Sequence, residues 1–376
     1  MKFLHLGDLH IGKSLNQKSL LEVQEDMLNQ ALALCQKENI KHVIIAGDVY
    51  DKQLPSLDAV KLLNNFLTKA IEENHLNIYM IAGNHDSLVR LNFLNEIVVH
   101  DNLHIASTPQ KTLHKVTINE DGKVYNIYML PYFTPNVYNQ FVEDRITSYQ
   151  EMIDDIIKNN PINKNEKNIL VTHHLVTNEF TTRSDSEQPL SVGGLDNISA
   201  DSLKDYDYVA LGHLHCPQHI SYPNIRYSGS LLKYSDSEVK QPKYFTIVEL
   251  DDELKITKVP FKPLREVKNI EGTIDELLED YQNIDEDYVY VTLTDKDIIP
   301  NAMQRIRVKY PNAISLRYKD TIDIKTDDFA ASSDFKEKNI KDQFTEFYEK
   351  ITQSELSDYE MEILESMIGE EEKWNH

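Results

Sequence analysis

Five short motifs supply the residues of this sequence that are best suited to chemistry. All are rich in Asp, Asn and His: Gly7-Asp8-Leu9-His10, Gly47-Asp48-Val49-Tyr50-Asp51, Gly83-Asn84-His85-Asp86, His173-His174 and Gly212-His213-Leu214-His215. Oxygen and imidazole ligands without thiolate favour Mn, Fe or Zn, whereas an all-oxygen set would favour Mg or Ca. Two such ions ~3.5–4 Å apart can activate water and stabilise the attacking and leaving oxygens of phosphoryl transfer. The motifs therefore predict a two-metal centre for phosphoryl transfer.

Residue type and spacing predict the ligands of this centre. In an extended strand end, residues i and i+2 point the same way, so Asp8 with His10, and His213 with His215, can each grip one centre. Asp48 has two carboxylate oxygens and can bridge two ions. The candidate ligands are Asp8, His10, Asp48, Asn84, His173, His213 and His215. One such pair alone is more often structural than functional, but five motifs at strand-to-loop junctions are hard to produce by chance.

Four neighbouring residues are assigned supporting roles. His85, as a charged imidazole, could protonate the leaving oxygen or stabilise the pentavalent phosphorus. Asp86 could hold the ring of His85. Asp51 could orient a ligand, and His174 could either do the same or only pack in the core.

Strand and helix patterns alternate over residues 1–260 and must position the motifs. Each motif follows an apolar, strand-like run: Phe3–Leu6, His42–Ala46, Ile78–Ala82, Ile169–Thr172 and Tyr208–Leu211. Leu20–Gln36 and Leu57–Ile71 have helical spacing, and residues 113–130 have the pattern of a hairpin. This alternation favours an α/β domain with helices covering a sheet. The carboxyl ends of the strands would gather the motifs at one edge.

Three smaller segments are predicted after this domain. Residues 261–320 have the pattern of a compact α+β module, with a capping box formed by Thr273 and Glu276. Residues 321–334 are acidic and lack periodicity, which is typical of a linker. Residues 335–376 predict two amphipathic helices that are too small to bury their own apolar faces. Docking of this pair on its own chain and docking on a partner helix or coiled coil both stay open.

Composition limits the class of protein. A 376-residue chain that is 40% apolar is typical of a soluble globular protein. No apolar run approaches the ~18 residues of a membrane helix, and the polar motif at Asp8 and His10 argues against a signal peptide. The two cysteines, Cys35 and Cys216, lie in unrelated contexts. A reduced, cytoplasmic protein without membrane association is therefore expected.

The net charge of −23 counts against binding to DNA, because phosphate contacts favour Lys and Arg. Two arguments reduce this difficulty. A site built from carboxylates is acidic until metal fills it, and a partner can supply a basic surface. Lys13 and Arg90 lie beside motifs and could contact DNA phosphates, although solvated surface charge explains them equally well.

In this order, the motifs resemble the calcineurin-like metallophosphoesterase superfamily and, more closely, its SbcD family, the nuclease subunits of bacterial SbcCD complexes. The resemblance covers essentially the whole chain. It is carried by Met1–Lys13 (MKFLHLGDLHIGK), Ile45–Asp51 (IAGDVYD), Ile81–Ser87 (IAGNHDS), Leu211–His215 (LGHLH) and Tyr227–Tyr234 (YSGSLLKY), and Ser184–Leu190 is also similar to bacterial members. It implies a metallophosphoesterase sandwich of residues 1–260, a capping domain and two C-terminal helices.

The resemblance also implies a role for each site residue. One ion would be held by Asp8, His10, Asp48 and His215. The second ion would be held by Asp48, Asn84, His173 and His213. His85 would be the catalytic histidine. Some archaeal relatives place a second catalytic histidine where this chain has Asp51, so a second one is not assumed here.

The activity implied by the resemblance is that of a Mn²⁺-dependent DNA nuclease, an exonuclease on duplex ends and an endonuclease on single strands and hairpins. It would work in DNA end processing and repair with an SbcC-like ATPase, whose coiled coil binds the C-terminal helices. A homodimer through Leu57–Ile71 and Leu88–Val99 is also implied. Two alternatives stay open: a phosphoesterase for a small phosphodiester or a phosphoprotein, and a DNA-tethering scaffold with a spent site.

Overall fold

The structure, a computed structural model, describes residues 1–92, 102–187 and 196–319, together with six helical positions between 341 and 364. The chain divides into two compact units, residues 1–291 with 300–316 and residues 292–299 with 317–376. Every predicted site residue lies in the first unit. Among the described residues, no helix combines the length and the apolar character needed to cross a membrane.

Seventeen strands occur in the described residues. They are β1 Lys2–Leu6, β2 Ser14–Leu15, β3 Lys18–Ser19, β4 His42–Ala46, β5 Asn77–Ile81, β6 Leu103–Ala106, β7 His114–Glu120, β8 Lys123–Leu130, β9 Lys167–Thr172, β10 Tyr208–Leu211, β11 Gln218–Ile220, β12 Tyr222–Tyr227, β13 Tyr244–Leu250, β14 Leu254–Pro260, β15 Val267–Gly272, β16 Tyr288–Leu293 and β17 Ala313–Tyr318.

Seven α-helices have described bounds. They are α1 Leu21–Lys37, α2 Leu57–Thr68, α3 Leu88–Leu91, α4 Pro135–Tyr138, α5 Tyr149–Asn159, α6 Ile274–Leu278 and α7 Ala302–Lys309. Helix α2 is followed by a π-helical turn, Lys69–Glu73, so the predicted helix Leu57–Ile71 is not a single regular helix. Most of the predicted helix Leu88–Val99 lies outside the described residues.

Two six-stranded sheets form the body of the first unit. Their strand orders are β14-β13-β1-β4-β5-β6 and β11-β12-β10-β9-β8-β7. In the first sheet β1, β4, β5 and β6 are parallel, and β13 is antiparallel to β1. In the second sheet β8, β9, β10 and β12 are parallel, and β7 and β11 are antiparallel edge strands. The strands that precede the motifs therefore run in parallel within each sheet.

The two sheets pack face to face. Phe3 and Ile44 of the first sheet and Tyr208 of the second belong to one buried apolar cluster between them. Alternate residues of the same strands, such as Val43 and Ile45, pack against helices on the outer side. Both faces of these strands are thus covered, which explains their continuous apolar runs.

Helices cover the outer face of each sheet. On the first sheet, Met27 of α1 and Phe66 of α2 belong to the cluster that includes the outward residues of β1, β4 and β5. On the second sheet, Ile153 of α5 packs in a cluster with Leu170 and Val209. The predicted α/β class is confirmed, and the implied metallophosphoesterase sandwich is the form that it takes. Strand and helix patterns alone had indicated one covered sheet, because they do not assign strands to sheets.

Strands β15, β16 and β17 form a separate three-stranded sheet, accompanied by α6 and α7. The predicted capping box is confirmed, since the side chains of Thr273 and Glu276 each accept a backbone N–H at the start of α6.

In the second unit, the Ile299 amide donates to the Tyr318 hydroxyl at 2.8 Å. The described positions of the predicted C-terminal helices are helical, and the predicted linker 321–334 lies outside the described residues.

Candidate metal centre

The five motifs meet at the carboxyl ends of β1, β4, β5, β9 and β10. Backbone hydrogen bonds tie their loops together: Asp8 N–H donates to the Gly47 carbonyl at 3.1 Å and His10 N–H to the Asp48 carbonyl at 2.9 Å. Across the sheets, the His213 N–H donates to Asp8 Oδ1 at 2.8 Å. The site is therefore assembled from both sheets of the sandwich.

Four of the predicted ligands have a left-handed backbone rather than an extended one. The φ angles are +52° at Asp8, +43° at His10, +48° at Asp48 and +102° at His213. This corrects the assumption that residues i and i+2 converge because they end a strand. The turn after each strand, which is uncommon for residues with a Cβ, is what directs these side chains into the site.

Two glycines make room for the imidazole of His173. A Cβ at Gly47, where φ is +85°, would lie 2.4 Å from His173 Nδ1. A Cβ at Gly212 would lie 1.8 Å from the Ala46 carbonyl oxygen and 2.6 Å from the same Nδ1. Only glycine allows this approach of backbone and ring.

Asp8, His10 and His215 form one group of possible ligand atoms, all within 4.8 Å of one another. His10 Nε2 lies 3.2 Å from His215 Nε2. His215 Nδ1 lies 2.9 Å from Glu238 Oε1, which assigns the ring proton to Nδ1 and leaves a lone pair on Nε2. A cation held by His215 Nε2 and Asp8 would therefore lie within reach of His10 Nε2 as well.

Asp8, Asp48 and His173 form a second group. His173 Nδ1 donates to the Ala46 carbonyl at 2.7 Å, so Nε2 faces Asn84 Oδ1 at 3.0 Å and Asp48 Oδ2 at 3.2 Å. His213 Nδ1 also lies 3.0 Å from Asn84 Oδ1. His213 thus lies beside Asn84, whereas His215 lies with Asp8 and His10, so the i, i+2 spacing does not bring this pair to one centre.

Asp48 lies between the two groups. Its Oδ2 is 3.2 Å from His173 Nε2 in the second group and 3.6 Å from His10 Nε2 in the first. Its Oδ1 accepts the His85 N–H at 2.9 Å, which fixes the orientation of the carboxylate. This is the arrangement expected of a carboxylate that bridges two ions.

The chemistry of the donor set fits divalent cations. Asp8 Oδ2 is buried and makes no hydrogen bond to the described residues. Burial raises the pKa of Asp8 well above its usual range. Burial disfavours the charged ring of His173 as well, but Asp48 and Asp8 outweigh it and raise the pKa of that ring to about 9. A bound metal ion would stabilise a buried carboxylate oxygen that has no hydrogen-bond donor. A proton competes with the metal for the same oxygen.

His85 lies at the edge of the first group. Its Nδ1 donates to the Asp51 carbonyl at 3.0 Å, and its ring centre lies 4.9 Å from that of His10. Asp86 does not hold this ring, contrary to the prediction. Its buried carboxylate accepts the backbone N–H groups of Val49, Tyr50 and Gly83, so it braces the two loops.

Asp51 and Lys13 lie behind His10. Asp51 Oδ1 is 3.5 Å from His10 Nδ1 and 2.8 Å from Lys13 Nζ. Asp51 therefore lies next to His10 without a hydrogen bond to its ring, and its role in orienting a ligand stays a prediction. Lys13, considered for DNA contact, is held by Asp51 and lies over the Tyr234 ring, 5.4 Å from its centre.

His174 and Arg90 lie apart from the ligand atoms. Both ring nitrogens of His174 are engaged, Nδ1 with the Thr172 hydroxyl at 2.9 Å and Nε2 with the Phe133 carbonyl at 3.1 Å. His174 is thus buried, with both ring nitrogens in contact with oxygens of the protein and not with the ligand groups. Arg90 is exposed in α3.

Glu238 and Lys243 were not among the sequence-based candidates. Glu238 is fully buried and accepts from His215 Nδ1 and from Lys243 Nζ. Burial alone would raise the pKa of Glu238, but His215 and Lys243 hold it well below its usual range. Neither residue belongs to a metal-binding motif, so only the tertiary structure identifies them.

Comparisons with known proteins show similarity over most of the chain. Residues 1–217 match the family model described as calcineurin-like phosphoesterase, and residues 260–352 match the one described as type 5 capsule protein repressor C-terminal domain. The SbcD subunits of nuclease SbcCD from Staphylococcus epidermidis and from Staphylococcus saprophyticus are each 32% identical to this chain, over 98% of both sequences. A solved dimetal phosphatase from Danio rerio covers 70% of this chain, and 98% of its own, at 11% identity with a TM-score of 0.41. The chain belongs to the calcineurin-like phosphoesterases and, among them, to the SbcD family of SbcCD nuclease subunits.

Proposed function

We propose that this protein is a two-metal DNA nuclease, an exonuclease on duplex ends and an endonuclease on single strands and hairpins. It works with an SbcC-like ATPase in DNA end processing and repair. The observation that carries the proposal is the convergence of seven buried or half-buried candidate ligand side chains on two adjacent groups. The groups share Asp8, and Asp48 Oδ2 of the second group lies 3.6 Å from His10 Nε2 of the first. The relatives named as nuclease subunits point to DNA as the substrate.

Two divalent ions, most simply Mn²⁺, would occupy these groups. Asp8, His10, Asp48 and His215 would hold one ion. The other would be held by Asp48, Asn84, His173 and His213. When bound, the ions supply an activated water and charge stabilisation for in-line displacement at phosphorus.

His85 is the proposed general acid. Its Nδ1 is engaged by the Asp51 carbonyl, so Nε2 is the atom that can present a proton to the leaving oxygen. The N–H of the same residue is fixed by Asp48 Oδ1 at 2.9 Å. The bridging carboxylate and the acid are therefore held in one rigid unit, which favours a reproducible distance between metals and proton donor.

Arg90 is the better candidate of the two cations for contact with the DNA backbone, because the ammonium of Lys13 is already paired. A charge of −23 and an acidic site favour a partner that supplies much of the DNA-binding surface. The SbcC-like ATPase, bound through residues 335–376, is that proposed partner. The segment 261–320 is the proposed capping domain that shapes access of DNA.

A homodimer is proposed through the region of α2 and α3. Leu54, Leu57 and Val89 expose 70%, 79% and 80% of their surface there. In a homodimer, these side chains would supply apolar surface to the interface.

Cleavage of a labelled DNA hairpin in Mn²⁺ tests the proposed function. Wild type should cut, and His85→Ala should be at least ~100-fold slower, because a general acid contributes about that much or more. His85→Ala should still bind two ions. His219→Ala, a change at an exposed histidine of β11, should cut like wild type.

One result would replace DNA with another substrate. If wild type hydrolyses bis(p-nitrophenyl) phosphate but cuts no DNA, even with the SbcC-like partner present, the metal site stands and the nuclease does not. A phosphoesterase for a small phosphodiester would then be the better description.

A further inference from the structure

A buried ion pair lies directly behind the metal centre. Glu238 and Lys243 have side chains that are 0% and 5% exposed, and Glu238 Oε2 lies 2.7 Å from Lys243 Nζ. Burying two charges is expensive, and replacing such a pair with apolar residues often leaves stability unchanged or raises it. Stability therefore does not explain why both charges are here.

The pair holds the imidazole of His215. Glu238 Oε1 accepts from His215 Nδ1 at 2.9 Å, and the Ser186 hydroxyl lies 2.8 Å from the same nitrogen. A carboxylate on the outer nitrogen fixes the tautomer, sets the plane of the ring and increases the basicity of the inner nitrogen. Nε2 is thereby directed towards Asp8 and His10.

The pair and its neighbours also hold the backbone of His215. Lys243 Nζ donates to the His215 carbonyl at 2.7 Å, and the Ser230 N–H donates to it at 3.1 Å. Glu187 Oε1 accepts the His215 N–H at 2.8 Å. The main chain and the ring of His215 are thus both held by hydrogen bonds to residues outside the two ligand groups.

The second ligand group has a different support. The outer nitrogen of His173 donates to a backbone carbonyl, that of Ala46, and not to a carboxylate. Of the two groups, only the one containing His215 is therefore backed by an ion pair among the described residues. A change in that pair should affect one ion more than the other.

We propose that Glu238 and Lys243 are positioning residues that set the affinity of the ion bound by Asp8, His10 and His215. The inference rests on the two-metal site of the proposed function. It assigns these residues no contact with the substrate or with the metals.

Calorimetric titration of the metal-free, full-length protein with Mn²⁺ tests the inference. Wild type should bind two ions. In Glu238→Gln one ion should bind ~10–100-fold more weakly, which is the usual effect of removing such a partner, and the other should change by less than about threefold. Asp207→Asn is the matched control, since it removes a carboxylate paired with Lys167 at 3.2 Å at the other end of β9, and both of its affinities should equal those of wild type.

A double variant separates positioning from folding. Glu238→Gln leaves the ammonium of Lys243 buried without its partner and should lower the melting temperature. Glu238→Gln with Lys243→Met removes both charges and should recover much of the stability, while the weakened ion stays weak. If its affinity recovers together with stability, or if both ions weaken equally in Glu238→Gln, the positioning role is wrong. A wild type that binds fewer than two ions would instead contradict the proposed function.

Discussion

At the residue scale, the hydrogen bond on one ring nitrogen of His173, His215 and His85 determines what the other nitrogen can do. In His173 and His215, Nδ1 donates a hydrogen bond to an oxygen of the protein, and Nε2 faces the ligand group. In His85, Nδ1 likewise donates a hydrogen bond, and its acceptor is the Asp51 carbonyl beside the site. His174 has both nitrogens engaged and has none left for metal.

His5 makes the stability of the protein depend on pH. It is 1% exposed, and Nδ1 lies 2.9 Å from the Tyr208 hydroxyl. Burial, and then the charge of Arg226, lower its pKa from 6.5 to about 3. The folded state thus excludes a proton that the unfolded state takes up, so the stabilisation is present above pH 6.5 and is lost as pH falls from 6.5 towards 3.

We expect this effect to reach about 2 kcal/mol at pH 5, from ~1.4 kcal/mol per pH unit below 6.5. Urea unfolding of the metal-free protein at pH 7.5 and pH 5.0 measures it. Wild type should lose more free energy of unfolding between the two conditions than His5→Gln, by about that amount. Equal losses in the two proteins would show that His5 is not held neutral.

The motifs select candidate ligands from sequence because the information is local. Residue type and position after an apolar run were enough to select Asp48 and His173, which the structure brings together. Spacing alone did not separate His213 from His215, because their directions depend on a left-handed backbone at His213, and only the family resemblance assigned them to different sets. Glu238 was not predictable either, since it lies 23 residues from His215 and meets it only in the folded protein.

At the element scale, the site depends on how closely the loops after β4 and β10 approach. A Cβ at Gly212 would lie 1.8 Å from the Ala46 carbonyl oxygen, which belongs to a buried strand and cannot move aside cheaply. The alanine must therefore separate the two sheets where the ligands meet. Overpacking of this kind typically costs ~1–3 kcal/mol.

Gly212→Ala should accordingly lower the free energy of unfolding by at least ~1–3 kcal/mol and weaken binding of Mn²⁺. Gly272→Ala serves as the control, because its Cβ would meet first the flexible end of Glu276, at 3.2 Å. Chemical denaturation and metal titration of both variants give the measurement. If Gly212→Ala behaved like the control, close approach of the loops would not be required.

Local patterns predicted the strands before the motifs to within one or two residues, since both of their faces are apolar. Helix α5 was not predicted, although Ser148 caps it and Met152, Ile153 and Ile156 form its buried face. The division of the strands between two sheets was not visible in the patterns either. Pairing such as that of β8 with β9 joins segments that are far apart in the sequence, and only tertiary packing decides it.

At the scale of the whole molecule, the metal site and the proposed partner site are separate parts of the chain. All predicted ligands lie within residues 8–215, whereas the proposed partner-binding helices lie in 335–376. Deletion of 335–376 should therefore keep hydrolysis of bis(p-nitrophenyl) phosphate near the wild-type rate. The shortened chain should no longer bind the SbcC-like ATPase. Size-exclusion chromatography of the mixture measures this binding.

The alternative for these helices is that they dock on their own chain. In that case the deletion would destabilise the enzyme and lower hydrolysis of the generic phosphodiester. Full binding of the ATPase by the shortened chain would exclude this segment as its attachment site.

The central claim is that this chain holds two metal ions between its sheets. A crystal structure of the Mn²⁺-soaked protein, measured at the Mn absorption edge, tests it most directly. We expect two anomalous peaks ~3.5–4 Å apart. One should contact Asp8, His10 and His215, the other Asn84, His173 and His213, and both should contact Asp48. A single peak, or peaks that lie away from these residues, would contradict the account.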